Sequence, residues 1–408
     1  MASYKDMRIY SLEHGSMTDS VLQERARRYD SPGAIHLPFQ IGDWSAFVML
    51  NAELSSLISS IYRKNNALSK LVNSIPEKAV TQFTFSTMAE EIQQTNEVEN
   101  VRSTRKEIHA AIDAEQQSKQ PVRFSGMVRK YIMLINELNI PLDSCSDVRK
   151  LYDEFVLDEV LRENPDNMPD GVIFRKESTG VYDGHDKRIH SGLVPENKII
   201  EVMEQGLSML HQKEMDPLLR VALFHYLFAY IHPFYDGNGR MTRFISSYLL
   251  SQDFNKAACM RIAFVIKQHR KEYYRLFKDA NDHRIMGELT SFFTGFLRFF
   301  EMALDDTYKS LSENSILYAR YSKLLEQAIN TMCGDLDRKY IVTLNLILIE
   351  ELFGYQEFSI DALAYITSCN KHTIRKIFQR LDPLLYHTDS KPYHWHLNLS
   401  ELEKSSAP

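Results

Sequence analysis

The chain has 408 residues, of which 44% are hydrophobic and 25% are charged, and its net charge is −6. A chain of this length exceeds one typical hydrophobic core, so we expect a soluble globular protein of two or three domains. The net negative charge argues against a general polyanion binder.

Cysteine usage and hydropathy indicate a reduced cytoplasmic setting. The four cysteines form no C-x-x-C pair, which argues against both a zinc ribbon and a disulfide framework. The first residues lack the basic-then-apolar pattern of a signal peptide. The most apolar run, residues 340–353, is shorter than the ~20 residues that cross a bilayer, so we expect no membrane segment.

Helical periodicity dominates the first part of the chain. Apolar residues recur every three or four positions from Trp44 to Leu71, and Ser74 and Pro76 indicate the start of another helix. A polar, mostly helix-forming stretch then continues to Pro121, and a further helix is predicted over Val128 to Leu138. We therefore expect a helical N-terminal region.

A different composition follows between residues 163 and 198. This segment carries three prolines, Asp-Gly, and short runs rich in Val, Ile, Phe and Tyr, which predict a β-hairpin between helices. Helices resume from Lys198 to Asp306, and a separate helix is predicted from Tyr308 to Met332.

One turn within this helical block, residues 231–244, is dense in polar residues. Asp216 and Pro217 predict a helix start, and Pro233 predicts its end. That helix brings His232 to its C-terminal end. His232 is also the group of the turn that accepts a proton near neutral pH.

The same turn predicts an anion site. Gly237 and Gly239 allow a sharp turn with an uncovered backbone, and the free N–H groups of the next helix favour phosphate. Arg240 and Arg243 share one face of that helix, and Asp236 suits Mg²⁺, which prefers few carboxylates together with phosphate oxygens.

These groups together predict a phosphoryl or nucleotidyl transfer site. The alternative is a plain corner between two helices. In that case Asp236 and Asn238 cap the helix, the glycines turn the chain, and the arginines are solvated.

The residues from His232 to Arg243 match the signature H-P-F-x-[DE]-G-N-G-R-x-x-R at every specified position. The chain therefore resembles the Fic family. This resemblance implies a mainly α fold with a small β-hairpin flap. It also implies transfer of AMP from ATP to a Tyr, Ser or Thr hydroxyl of a target protein.

The resemblance also implies roles for single residues. His232 resembles the catalytic base, Asp236 the Mg²⁺ ligand, and Phe234 the apolar anchor of the loop. The residues that resemble the nucleotide-binding set lie in the turn and at the start of the next helix: Gly237, Asn238, Gly239, Arg240 and Arg243. An intact glycine at position 239 favours AMP transfer over phosphorylation.

Two flanking features also resemble the family. Phe174 to Tyr182 is the predicted flap, whose edge would hold a target segment by strand addition; the alternative is an ordinary surface hairpin. Tyr273 and Tyr274 resemble tyrosines near the nucleotide base, and core packing is their alternative.

An inhibitory helix with the pattern [S/T]-x-x-x-E-[G/N] is common in the family. Ser86 and Glu90 fit its first part, although Glu91 stands where Gly or Asn is expected. The register from Thr87 to Glu91 fits equally far. We prefer Glu90, which would occupy the guanidinium of Arg243 and exclude ATP. The alternative is a solvated helix face.

The C-terminal segment predicts a further small domain. A helix ends at Gly354, a short helix starts at Ser359, a third helix spans Lys371 to Leu381 with Asn370 as N-cap, and two strands lie around residues 389–392. This order resembles a winged helix-turn-helix. Such a domain binds DNA, binds protein or self-associates, and its net charge of +2 over residues 359–399 is modest for DNA binding.

The predicted organisation has four regions. Residues 1–150 form the N-terminal helical region, 151–306 the catalytic domain, 307–332 a linker helix, and 333–408 the winged helix. The predicted function is an auto-inhibited protein adenylyltransferase that uses Mg²⁺ and ATP, with AMP removal as a second reaction of the same site. The alternative is a DNA-binding transcriptional regulator with a nucleotide-sensing domain.

Overall fold

The structure is a computed structural model, and it describes residues 4–182, 188–334, 336–354, 358–389 and 393–405. These residues are mainly helical, which confirms the predicted fold class. Two compact units are formed, one by residues 1–66 with 88–305 and the other by residues 67–87 with 306–408. The division into four regions stays a prediction.

The first unit contains most of the helices. Its N-terminal part consists of α1 (Met7–His14), α2 (Asp19–Tyr29), β1 (Ala34–Ile41), β2 (Trp44–Met49), the start of α3 (Ala52–Val72), the end of α4 (Glu77–Val98), α5 (Arg105–Gln116) and α6 (Ser125–Ile135). The chain continues with α7 (Cys145–Phe155), α8 (Leu157–Glu163), β3 (Gly180–Tyr182), β4 (Arg188–Ser191), α9 (Glu196–Leu210), α10 (Pro217–Ile231) and α11 (Asn238–Leu250). It then forms α12 (Lys256–Cys259), α13 (Ile262–Gln268), α14 (Arg270–Ala280) and the start of α15 (Thr290–Cys333).

Helix α10 lies at the centre of this unit and packs against α9 and α11. Its residues are apolar on all sides, as expected of a helix enclosed by protein, and its largest buried side chains include Phe224, Tyr226 and Phe228. The predicted start is confirmed, because the Asp216 side chain accepts a hydrogen bond of 2.8 Å from the Leu218 N–H. The central helix therefore fixes the position of the turn that follows it.

Two predictions of secondary structure are wrong. The helix expected from Trp44 is a strand to Met49, paired antiparallel with β1, and the helix begins only at Ala52. The separate helix expected from Tyr308 is part of α15, which runs without a break from Thr290 to Cys333. Pairing with the adjacent strand β1 decides the first case, since the periodicity of apolar residues does not register the hydrogen bonds to a partner strand.

The second unit has a small sheet and several helices. It contains α16 (Arg338–Phe353), β5 (Phe358–Ser359), α17 (Ile360–Thr367), α18 (Lys371–Arg380), β6 (Leu385–His387), β7 (His394–Leu397) and α19 (Leu399–Ser405). The sheet order is β5-β7-β6, and both pairs are antiparallel. Its core is built from buried aliphatic side chains such as Ile347, Leu363, Ile374, Leu381 and Leu397.

No helix among the described residues has the length and apolar character that a bilayer crossing requires.

Candidate active site

The turn between α10 and α11 is held by its own side chains. Phe234 is fully buried and stacks on Tyr152 at a ring distance of 3.6 Å, while Phe174 meets it edge to face at 5.5 Å. The Asn238 side chain accepts from the Phe234 N–H at 3.0 Å and donates to the Phe234 carbonyl at 2.8 Å. The side-chain amide of Asn238 therefore makes its hydrogen bonds within the loop, and the backbone N–H of Asn238 is left for a ligand.

The backbone conformation of the turn exposes one end of each helix. His232 ends α10 with φ 52° and ψ 64°, and Gly237 precedes α11 with φ 79°. The first backbone bond of α11 runs from the Met241 N–H to the Gly237 carbonyl at 3.0 Å. Since a helix start leaves its first N–H groups without helical partners, residues 238–240 offer donors to an anion.

A cavity of about 340 Å³ opens at this turn. Its walls include His232, Asp236 and the Gly237–Gly239 segment of the turn, and Arg243 of α11. An added side-chain carbon at Gly239 would lie 1.9 Å from the Glu99 Oε1, so a larger residue at this position would require the Glu99 side chain to move. The cavity thus combines a proton acceptor, a carboxylate, a helix N-terminus and a cation.

Arg243 is buried and makes its contacts with the end of α4. Its Nη2 donates to the Glu99 Oε1 at 2.7 Å, and its Nε donates to the Thr95 Oγ1 at 2.7 Å. Burial acts to raise the pKa of Glu99, but the charge and hydrogen bond of Arg243 outweigh burial and lower that pKa. The carboxylate is therefore ionised, and it occupies the guanidinium.

The predicted pairing of Glu90 with Arg243 is wrong. Glu90 contacts Arg261 instead. The adjacent Glu91 is fully buried and accepts from the Ala263 N–H at 2.9 Å, at the start of α13. Glu99 directly follows the last residue of α4, about two helical turns beyond Glu91, and it is the carboxylate that reaches Arg243.

The true match to the inhibitory pattern lies nine residues later than the predicted one. Thr95-x-x-x-Glu99-Asn100 fits [S/T]-x-x-x-E-[G/N] in full, with Thr95 in place of Ser86 as the hydroxyl residue. Asn100 has a φ of 60°, a conformation that Gly and Asn adopt most readily. The positive φ explains why the pattern ends in one of these two residues, and this signal is visible in the sequence.

Arg240 differs from its prediction in position. Its side chain is fully buried and does not line the cavity. The nearest carboxylate oxygen among the described residues is Asp236 Oδ1, 3.7 Å from its Nη2, and none of its three guanidinium nitrogens has a hydrogen-bond partner there. A buried cation in this state favours an anion beside the loop.

Comparison with known proteins agrees with this geometry. Residues 143–250 match the model of the Fic/DOC family. Residues 143–250 therefore form a Fic domain.

The curated relatives are similar to this chain over a short segment. The protein adenylyltransferase Fic of Drosophila ananassae is 36% identical over 84 residues, and that of Drosophila melanogaster is 34% identical over 84 residues. The segment covers 21% of this chain and 16% of each relative. A solved Fic family protein from Desulfovibrio desulfuricans G20 has a TM-score of 0.50 at 18% identity, over 89% of this chain and 98% of that one, which concerns the fold alone.

The two predicted tyrosines, Tyr273 and Tyr274, both line the cavity. Tyr273 is buried and its hydroxyl lies 2.9 Å from the Nε2 of the buried His225. Burial lowers the pKa of His225 well below its usual value, so this histidine is neutral. Tyr274 lies under the guanidinium of Arg270, 5.7 Å from the ring centroid. Contact of either ring with a nucleotide stays a prediction.

The hairpin beside the Fic loop is shifted from its predicted range. Strands β3 and β4 pair Gly180 with Ser191, and residues 183–187 of the connection lie outside the described residues. Only the last three residues of the range Phe174–Tyr182 are strand, and Phe174 at its start is fully buried against the loop. The hairpin adjoins the cavity through Thr179 and Gly180.

Proposed function

We propose that this protein transfers AMP from ATP to a Tyr, Ser or Thr hydroxyl of a target protein. The observation that carries the proposal is the single cavity shared by His232, Asp236, the start of α11 and Arg243. Each of these groups has a distinct task in nucleotidyl transfer, and a merely structural corner requires none of them at a common cavity.

The residues divide the chemistry as follows. The N–H groups of residues 238–240 bind phosphate oxygens, and Arg243 binds the terminal phosphate. His232 takes the proton of the acceptor hydroxyl while the hydroxyl oxygen bonds to the α-phosphorus of ATP. The bond from the α-phosphorus to the oxygen that bridges it to the β-phosphorus breaks, and pyrophosphate leaves with the electron pair of that bond.

Asp236 fits a magnesium ion as cofactor. Its side chain is 38% exposed, it lines the cavity, and its contacts among the described residues involve Oδ1, which leaves Oδ2 for a metal. No group of three metal-binding side chains occurs among the described residues, as expected where phosphate oxygens complete the shell. When bound, the ion would neutralise phosphate charge.

We propose that Glu99 inhibits this reaction. Its carboxylate holds the Arg243 guanidinium that the terminal phosphate needs, with Thr95 on the same group. ATP binds productively only after this pair opens, so the closed state lowers the apparent affinity by the fraction of molecules that are open. Inhibition is thus a competition between two anions for one cation.

The experiment is incubation with Mg²⁺ and ATP labelled either on the α- or on the γ-phosphate. We expect the Glu99→Gly protein to label itself or lysate proteins from α-labelled ATP only. Adding His232→Ala should remove the label. Labelling from γ-labelled ATP would indicate phosphorylation, and no label with either nucleotide would contradict the proposal.

The same cavity supports AMP removal as a second reaction. Glu99 and His232 both line it, so a carboxylate is available to orient water towards a bound AMP ester. Modified protein, separated from ATP, should release AMP with Glu99 present and retain it in Glu99→Gly. Equal release by both proteins would exclude this role.

We also propose that the second unit is a winged helix whose α18 contacts DNA. The exposed residues of α18 include no acidic side chain; they are Lys371, His372, Arg375, Lys376, Gln379 and Arg380. The order α16-β5-α17-α18-β6-β7 resembles that of a winged helix-turn-helix, in which the equivalent helix enters the major groove.

Fluorescence anisotropy with a labelled DNA duplex tests this contact. We expect binding that weakens with salt and with Arg375→Ala plus Lys376→Ala, because phosphate contacts release counterions. Lys404→Ala on α19 is the control, since it removes an exposed lysine elsewhere in the unit. Binding that ignores the α18 variants, or no binding at low salt, would contradict the DNA role and favour protein binding or self-association.

A further inference from the structure

Arg175 is a fully buried arginine between the 3-10 turn at Pro165–Asn167 and β3. Its guanidinium donates to four backbone carbonyls. Nε donates to His232 at 2.8 Å, Nη2 to Leu193 at 2.9 Å and to Ile231 at 3.3 Å, and Nη1 to Glu177 at 2.5 Å. Among the described residues no carboxylate forms an ion pair with it, and these main-chain carbonyls solvate the buried charge.

The four carbonyls belong to two parts of the site. Those of Ile231 and His232 lie at the C-terminal end of α10, where the helix leaves carbonyls without helical partners and carries partial negative charge. Those of Glu177 and Leu193 lie just outside the two strands of the β3–β4 hairpin. One side chain therefore connects the His232 backbone to both ends of the hairpin.

The backbone conformation of His232 explains why its contact with Arg175 matters. Its φ of 52° lies in the left-handed region, which costs free energy for a residue other than glycine. Such a conformation persists only when its surroundings hold it, and the cation on its own carbonyl does so. The backbone N–H of Arg175 also donates a hydrogen bond of 3.2 Å to the Pro233 carbonyl.

The hairpin exit is shaped to admit the guanidinium. An added side-chain carbon at Gly192 would lie 2.2 Å from the Arg175 Nη2 and 2.9 Å from the His232 Cβ. Only glycine therefore allows the hairpin to pass this close to both side chains. The same figures put Arg175 and the His232 side chain next to one another.

We propose that Arg175 is a positioning residue, which sets the orientation of His232 and fixes it relative to the hairpin where a target segment would lie. This inference rests on the proposed function, in which His232 is the base. Arg175 lies outside the cavity walls and touches neither nucleotide nor acceptor in this proposal. Its loss should affect the rate of the proton-transfer step more than the binding of ATP.

Steady-state kinetics of AMP transfer in the Glu99→Gly protein test this split. Arg175→Met should lower kcat about 10- to 100-fold with KM for ATP within about twofold, since small misplacements of a catalytic group have effects of this size. Arg175→Lys keeps the positive charge but places it on a single nitrogen. Its kcat should therefore lie between those of the Glu99→Gly parent and Arg175→Met. Arg149→Met is the control, because Arg149 donates to the Ile173 carbonyl nearby, at 2.9 Å.

A second readout makes the outcome independent of activity. In protein labelled with ¹³C-histidine, the His232 ring resonance, assigned by its loss in His232→Ala, should shift or broaden in Arg175→Met and Arg175→Lys but not in Arg149→Met. An unchanged resonance in the Arg175 variants overturns the inference, as does an effect on KM without an effect on kcat. If the Glu99→Gly parent transfers no AMP, the proposed function fails, and the resonance alone decides the role of Arg175. If Arg175→Met does not fold, Arg175→Lys decides by the same two measurements.

Discussion

The Glu99 carboxylate accepts a 2.7 Å hydrogen bond from the Arg243 guanidinium at the wall of the cavity that contains His232. Two residues that are 144 positions apart in sequence thus form an ion pair where the terminal phosphate of ATP would bind. In the proposed function this ion pair keeps Arg243 from the terminal phosphate, and the free energy of the pair sets the extent of inhibition.

We expect Glu99→Gly to raise the initial rate of AMP transfer at least about tenfold, because it removes the carboxylate that competes for Arg243. Each factor of ten corresponds to about 1.4 kcal/mol of competing interaction removed. Glu90→Gly is the matched control, since Glu90 lies on α4 and pairs with Arg261 rather than with Arg243. The rate of label incorporation from α-labelled ATP measures both. Equal activation by the two variants would show that helix destabilisation, rather than the Arg243 pair, is the cause.

The backbone at Asn100 provides a test of the end of the inhibitory helix. Both Asn100→Gly and Asn100→Ala remove the amide oxygen that accepts from Arg270, but only alanine is strained at a φ of 60°. We expect Asn100→Ala to be about 1 kcal/mol less stable than Asn100→Gly in urea unfolding. Indistinguishable stabilities would mean that the helix end rearranges.

Burial raises the pKa of Glu91 to about 7, from 4.5 in an exposed chain. Between these pH values the folded protein holds a proton that the unfolded chain releases, so stability falls as pH rises, by up to ~3 kcal/mol. We expect urea unfolding of the wild type to lose stability from pH 5 to pH 8 relative to Glu91→Gln. Glu90→Gln is the control, and parallel pH profiles for wild type and Glu91→Gln would contradict the assignment.

Phe234 tests the anchoring of the loop. Its ring is fully buried between Tyr152 and Phe174, so Phe234→Ala should cost ~3–5 kcal/mol of unfolding free energy. The chain has two tryptophans, and a Trp395→Phe background leaves Trp44 as the fluorescent reporter of the first unit. Tyr235→Ala, which truncates the neighbouring half-buried ring, should cost clearly less. A smaller loss for Phe234→Ala than for Tyr235→Ala would show that the anchor is elsewhere.

The loop was predictable because its chemistry is local. His232, Asp236, the two glycines and Arg243 lie within twelve residues, and the helix signals at Asp216 and Pro233 fix the turn between them. The short-range pattern therefore predicted the turn and six of the residues that line the cavity, which are His232, Asp236, Gly237, Asn238, Gly239 and Arg243. Arg240 is the exception, since the direction of its side chain depends on the packing beneath the loop.

Contacts between distant segments were harder to predict. The Glu99–Arg243 pair depends on the register of α4, and the sequence signal for it, Asn100 after Glu99, was present but was assigned to an earlier glutamate. The β1–β2 hairpin was missed for a different reason, because its two strands are adjacent in sequence. Leu37, Phe39 and Ile41 alternate with exposed residues in β1, yet the partner strand has no such regular alternation.

The most direct test of the account is calorimetric titration of Mg²⁺–ATP into three proteins that all carry His232→Ala to prevent turnover. One has no further change, one adds Glu99→Gly, and one adds Glu90→Gly. The account predicts a Kd at least about tenfold lower with Glu99→Gly and an unchanged Kd with Glu90→Gly. Equal affinity in all three proteins, or no binding even with Glu99→Gly, would contradict the claim that Glu99 and ATP compete for Arg243.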